Sequence, residues 1–505
     1  MALDFLKSHA LLQPNKPAVI CGDEVLDFAT LHRRASRVAN AVTSLGCREA
    51  DRVTWMSFNS IAGAEIASGL RRAGVVIVPV NYRLRGQEIA YVLNDSQAKV
   101  AFVGPDHVEE VAEAAPEVRG DVHFVVVGDR VPPGWLSYRD LLAAESDEFE
   151  AVGEGLGPSM IYTSGTTGNP KGAWRPHGVD IENVLQVISI FELSSDDVHL
   201  MCGPGYHSAV SFFSVLHQVL GATVVVQPKF AAGDALDLVE RHRVTTSFMA
   251  PTLLQRLMDA QESRPCDMSS LRALILGAAP CPHSLKVRAA AAFGRVLWEF
   301  YGATETGINT VLRPEDQLRK PGSCGTAVPG QEIRLVLDDG TEAPVGVPGE
   351  FMVRNTWQAE YFNRPDATQK SLHDGFFSVG DVAYRDDEGY YFICDRRTDM
   401  IISGGVNIYP AEIEAVLFAH PAVMDAAVIG VPDDEWGESV KAVVELRPDM
   451  DASAEELIAF CAERLAGYKK PRSVDFVDEL PRDAAGKLLK RRLRNAYWTS
   501  AGRKI

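Results

Sequence analysis

The sequence predicts a multidomain protein of the α/β and α+β classes: a large N-terminal domain and a smaller α+β C-terminal domain. Three observations carry this. Up to about residue 390, helix-like segments alternate with short β-branched runs, the pattern of stacked α/β layers. After residue 325, hairpin signatures appear. The last stretch, from about residue 398, has a compact pattern of its own.

Taken in order, Val75–Val78, Phe124–Val127, Thr223–Val226 and Leu271–Leu276 read as buried strands. Met160-Ile161-Tyr162 reads as a strand feeding a glycine-rich loop, and Val296–Phe300 as one ending before another. Ile333–Leu337 runs into Asp338-Asp339-Gly340, and Ala383-Tyr384-Arg385 passes through an acidic turn to Tyr390–Ile393, both hairpin signatures. Pro410 opens a helix with Ile413, Val416 and Leu417 on one face, Ala426–Ile429 reads as a strand, and Ser453 with Glu456 caps a further helix. The boundary falls near residues 395 to 400, giving domains 1–397 and 398–505.

Bulk composition narrows the function classes. A 505-residue chain with 46% hydrophobic and 23% charged residues fits a globular enzyme with ample core. Its formal net charge of -18 argues against general nucleic-acid binding. The eight cysteines are scattered, with no Cys-x-x-Cys pair and no zinc spacing, as expected of reduced thiols. Neither a secretion signal nor a membrane-spanning run is visible, so a cytoplasmic location without integral membrane association is expected.

The segment Tyr162-Thr163-Ser164-Gly165-Thr166-Thr167-Gly168-Asn169-Pro170-Lys171-Gly172 is the most informative. Glycines let backbone N–H groups converge on an anion, hydroxyls add donors and Lys171 adds a fixed charge, so the loop reads as a polyphosphate grip. The order Lys171-Gly172-Ala173 excludes a Walker loop; a plain linker is the other reading. Farther on, Tyr301-Gly302-Ala303-Thr304-Glu305 offers a carboxylate beside a hydroxyl, suited to magnesium shared with phosphate or to an ordinary turn. Asp381 sits on a turn able to accept two ribose hydroxyls, or merely at the surface. Asp395–Met400 followed by Gly404-Gly405 is a charged joint or a linker, and Gly486-Lys487 places a lysine on a loop near the end. The acidic triplet 386 to 388 reads as a solvated turn. The basic run Lys487, Lys490, Arg491, Arg492 and Arg494 reads as a solvated helix face, with attraction of ligand phosphates as the alternative.

In this order, these segments resemble the adenylate-forming superfamily, nearest to bacterial acyl-CoA synthetases of the fatty-acid–CoA ligase type. The resemblance implies two α/β subdomains plus a small β-barrel part in the large domain, and a mobile C-terminal domain. It implies an AMP-forming acid–thiol ligase using ATP, Mg2+ and CoA: a carboxylate attacks the α-phosphorus, and the CoA thiol then attacks the acyl-AMP. By resemblance Thr163, Ser164, Gly165, Thr166, Thr167, Gly168 and Lys171 hold the departing phosphates, and Thr304 binds the α-phosphate. Glu305 would hold the metal, Asp381 with Arg396 the ribose, and Gly277, Ala278, Ala279, Tyr301 and Gly302 the adenine. Lys487, Thr304 and Glu305 would be catalytic, with Lys487 also touching ATP. Thr398 is the hinge position, often Asp or Lys in the family. Gly404 and Gly405 would border the CoA channel; Trp436 packs against CoA or is a surface anchor.

The acyl pocket implied by resemblance includes His207, Ser208, Ala209, Phe212 and Ala303, with His207 as gate or as a structural loop histidine. The segment 204 to 213 contains no acidic residue, which disfavours an amino acid substrate. Small residues leave room for an apolar acid of fatty, alicyclic, aromatic or steroid type. Two rival functions are an acyl-AMP ligase passing its product to a carrier protein and a nucleotide-binding scaffold without turnover. The oligomeric state is not legible.

Overall fold

The computed structural model describes residues 4–152, 156–163, 170–404, 406–433, 435–482 and 488–500. The chain forms two compact units: Met1–Leu276 with Gly302–Gly307 and Asn355–Leu372, and Gly277–Tyr301 with Ile308–Arg354 and His373–Ile505.

The first unit contains two parallel layers. One runs Val76–Pro79, Arg52–Met56, Val100–Val103, His123–Val126 and Leu136–Ser137 in spatial order, all parallel. The other runs Ala273–Leu276, Thr246–Met249, Val198–Met201, Thr223–Val226 and Pro17–Cys21, with Glu24–Asp27 antiparallel at its edge. Four of these strands are buried at every position, as their largely β-branched and apolar runs dictate. Helices follow local signals: the Asp27 side chain accepts from Thr30 N–H and opens Phe28–Ser44, which buries Leu31, Ala35, Val38 and Val42 on one face. A third sheet pairs Ser159–Thr163 with Lys171–Arg175 antiparallel, and Lys171–Arg175 in turn with Glu360–Tyr361.

In the second unit an antiparallel sheet joins Glu332–Val336, Gly349–Arg354, Phe376–Arg385 and Tyr391–Arg396. The hairpin expected across the acidic turn forms. The one expected after Ile333 shrinks to a single bridge, Val336 to Glu342, and that strand takes Gly349–Arg354 as its main partner. The C-terminal part is a mixed sheet of Val406–Ile408, Ile401–Ser403, Gly437–Leu446 and Val423–Asp433, with Ser473–Phe476 parallel to Gly437–Leu446. The helices Pro410–Leu417 and Ala454–Ala462 bury Ile413, Leu417, Leu457 and Cys461 in one core with Val428 and Val440. Among the described residues no helix is long and apolar enough to cross a membrane.

Candidate active site

The antiparallel register sets Thr163 opposite Lys171. From there the Thr163 hydroxyl reaches Glu305 Oε1 at 3.3 Å, and the Tyr361 hydroxyl donates to the same oxygen at 2.9 Å. Lys171 Nζ lies 4.8 Å from the centre of the Tyr361 ring. Thr163, Lys171, Glu305 and Tyr361 are therefore one cluster, and Glu305 is only 8% exposed. Ser164, Gly165, Thr166, Thr167 and Gly168 lie outside the described residues, as do Gly405 and Lys487.

Glu305 stands in the turn between the strands Leu297–Ala303 and Gly307–Leu312. Gly307 follows with φ +70, and a Cβ there would meet the Trp357 ring at 2.4 Å, so a glycine is required on both counts. Trp357 also packs edge-on to Phe212 at 5.6 Å. Phe212 is on the helix Ser208–Leu220, whose first residue Ser208 meets the Thr304 hydroxyl at 3.2 Å. The expected acyl residues Ser208, Ala209 and Phe212 thus share one helix. His207 is its N-cap, with its ring 4.5 Å from Tyr206, and Ala303 ends the strand before Thr304.

In the second unit, the Tyr301 hydroxyl donates to Asp381 Oδ2 at 2.6 Å, and Arg396 Nε lies 3.4 Å from Asp381 Oδ1. Asp381 and Arg396 are directly paired across two strands. Burial, reinforced by the Asp381 charge, pushes the Tyr301 phenol far above its ordinary pKa, which keeps it a donor. Two residues before Tyr301, Glu299 is buried in an ion pair with Lys286. Ala278, between Gly277 and Ala279, adopts a left-handed backbone with φ 70.

Around the expected hinge, Arg494 donates to the Thr398 carbonyl, and Lys490 is held between Asp395 at 3.1 Å and Glu414 at 2.9 Å. This corrects the solvated-face reading of the basic run. Arg491 and Arg492 are exposed, but Lys490 turns inward because two carboxylates wait there. Burial opposes the Lys490 charge, and Asp395 and Glu414 outweigh it, holding the ammonium above its ordinary pKa. Trp436, 40% exposed, lies over Gly404, whose φ is +58 and where a Cβ would meet the indole at 2.6 Å. Arg472 sits 5.1 Å from the same ring. In the acidic turn, Asp386 pairs with Lys320, and Glu388 with Lys320 and Arg319. These carboxylates are already neutralised.

The family model described as "AMP-binding enzyme" matches residues 6–361, and that of the AMP-binding enzyme C-terminal domain matches 412–487. The chain belongs to the AMP-binding enzyme family. Among the relatives of this AMP-binding enzyme, a feruloyl-CoA synthase from an Amycolatopsis species is 39% identical over 494 residues, 97% of each chain. A fatty acid–[acyl-carrier-protein] ligase from Streptomyces coeruleorubidus is 33% identical over 98% of this chain and 96% of its own. The crystal structure of an anthranilate CoA ligase in complex with anthranoyl-AMP superposes with a TM-score of 0.90 at 28% identity, covering 99% and 98% of the two chains. The reading as an adenylate-forming acyl-CoA synthetase of the acid–thiol ligase class stands on these matches, with ATP and CoA as substrates.

Sequence reasoning about this AMP-binding enzyme missed Tyr361, Arg175, and the Lys490 cluster. Tyr361 carries no motif in isolation. The buried Lys490 was legible only as one basic residue among several, because its carboxylate partners lie 76 to 95 positions away. The buried Glu305 carboxylate beside the Thr163 hydroxyl offers oxygen ligands that suit a hard divalent cation such as magnesium.

Proposed function

We propose that this chain activates an aryl or comparably apolar carboxylic acid with ATP and transfers it to CoA. The single observation that carries the reading is Glu305, buried and held between the Thr163 and Tyr361 hydroxyls one strand away from Lys171. The family match supports the ATP and CoA chemistry. The names of the feruloyl and anthranilate relatives, with Phe212 packed on Trp357, favour an aryl acid.

In the first step, the carboxylate oxygen bonds to the α-phosphorus as the bond to the β-phosphate oxygen breaks, giving acyl-AMP and pyrophosphate. Carboxylate is a weak nucleophile, so positioning and charge neutralisation carry the rate. Thr163, Lys171 and the residues from Ser164 to Gly168 hold the departing phosphates, Thr304 the α-phosphate and Glu305 the magnesium. When bound, the metal neutralises charge on phosphate oxygens. Asp381, oriented by Tyr301 and Arg396, takes the ribose, and Gly277, Ala278, Ala279, Tyr301 and Gly302 the adenine. Lys487 meets the attacking carboxylate and α-phosphate. In the second step, the CoA thiolate attacks the acyl carbon and AMP leaves. Residues 398–505 act as a mobile domain turning about Thr398, with Gly404, Gly405 and Trp436 toward CoA and His207 as gate beside Ser208, Ala209, Phe212 and Ala303.

Lys487→Ala tests the division of labour. It is expected to abolish acid-dependent pyrophosphate release while sparing thioester formation from supplied acyl-AMP; equal loss of both steps contradicts the assignment. A second reading, transfer to a carrier protein, draws support from the carrier-protein ligase relative, and a carrier protein offered beside CoA discriminates the two.

A further inference from the structure

Arg175 ends the strand that begins at Lys171, and its guanidinium is buried, with the residue 8% exposed. Its Nε donates to the Trp357 carbonyl at 2.7 Å and its Nη2 to the Thr304 carbonyl. Burial lowers its pKa to about 10, with the Glu305 charge opposing the fall, so the group is cationic at neutral pH. A buried cation is costly, and two main-chain carbonyls do not by themselves demand a full charge. The Glu305 charge offsets part of that cost.

What the guanidinium holds is the peptide linking Thr304 to Glu305. The next carbonyl, that of Glu305, accepts from Ala359 N–H at 2.7 Å. Both carbonyls of the pair are thus tied to Arg175 and Ala359, and the segment 357–359 is tied to Arg175 as well. With the backbone fixed, the Thr304 hydroxyl reaches Ser208 and the Glu305 carboxylate reaches Tyr361 and Thr163. A rotation of that one peptide would turn both side chains away from these partners.

The geometry points to Arg175 as a positioning residue for adenylation, its planar fork fixing the direction of the Thr304 hydroxyl and the Glu305 carboxylate from the strand that carries Lys171. The inference rests on the roles proposed for Thr304 and Glu305. An ammonium cannot span two carbonyls with the same fork geometry, so Lys is not an equivalent replacement.

The experiment compares wild type with Arg175→Lys, Arg175→Met and Glu305→Gln, measuring acid-dependent ATP–pyrophosphate exchange, thioester formation from supplied acyl-AMP, and the thermal midpoint with and without ATP and magnesium. Misplacement of a reacting group by about an ångström costs up to roughly a hundredfold, so Arg175→Lys is expected to slow exchange tenfold or more through kcat, with the KM for ATP changed much less. Its thioester step should stay near wild type, and its stabilisation by ATP with magnesium should be largely kept. Should Arg175→Met fail to fold, Arg175→Lys decides. Parallel loss of both steps, or unchanged exchange in Arg175→Lys while Glu305→Gln is slow, overturns the inference. Fast exchange in Glu305→Gln overturns instead the reading on which it rests.

Discussion

The Tyr361 hydroxyl donates to Glu305 Oε1 at 2.9 Å, from a short strand in which Tyr361 is paired with Ala173, two residues beyond Lys171. The carboxylate and the lysine therefore share a ring: its hydroxyl binds the former, and its face underlies the latter.

Tyr361→Phe keeps the ring under Lys171 and removes only the donor. Hydrogen bonds to charged groups contribute about 1.5–3 kcal/mol. Pyrophosphate exchange is expected to slow by roughly tenfold or more, with the thioester step spared and the magnesium concentration for half-maximal rate shifted. An exchange rate equal to wild type across a magnesium titration would separate Tyr361 from the chemistry.

Asp381→Ala removes the acceptor that Tyr301 and Arg396 orient. The apparent affinity for ATP is expected to fall while that for the acid is kept. Tyr301→Phe should give a weaker form of the same effect. If the KM for ATP in Asp381→Ala equals that of wild type, Asp381 does not hold the ribose.

Lys490→Met strands two carboxylates, Asp395 and Glu414, in a buried setting. Removing one partner of a buried pair costs about 3–5 kcal/mol. Burial already pushes the Glu414 carboxyl up, with Lys490 opposing, and loss of the ammonium raises it further. A raised carboxyl favours the folded state only while protonated, so the deficit should be largest at neutral pH and shrink as acid protonates Glu414. Urea unfolding of both proteins from neutral to mildly acid pH measures this, and a pH-independent difference would contradict it.

His199 and His217 stack at 4.2 Å, joined through the Thr246 hydroxyl. His217 Nδ1–H donates to the Phe213 carbonyl, so its Nε2 accepts from Thr246. Burial lowers the His217 pKa to about 4. A depressed histidine contributes stability that is present above its unfolded pKa and lost as pH falls toward its folded one. Between about pH 6.5 and 4 the loss from this site approaches roughly 3 kcal/mol. His217→Gln should flatten that part of the stability curve; an unaltered slope would assign the acid sensitivity elsewhere.

Chain periodicity made the two parallel layers readable, because runs such as Thr223–Val226 are buried on both faces and carry that burial in their composition. Thr163, Lys171 and Glu305 stood out because each belongs to a short segment whose residue types fit phosphate or metal chemistry, and folding brings them into one cluster. Arg175 and Tyr361 were not. What matters about them is which carbonyl or carboxylate a distant turn places beside them, and no local pattern encodes that. Lys490 illustrates the converse: its sequence neighbours are exposed and basic, and only folding brings Asp395 and Glu414 to it.

The most direct measurement of the central claim uses purified protein and a panel of aryl, alicyclic and fatty acids, following pyrophosphate exchange without CoA and AMP release with CoA or a carrier protein added. The account predicts exchange that requires an acid and magnesium but no CoA, strongest with aryl acids, followed by stoichiometric AMP and thioester once CoA is supplied. Exchange absent with every acid, or AMP release that responds to the carrier protein and not to CoA, would contradict it.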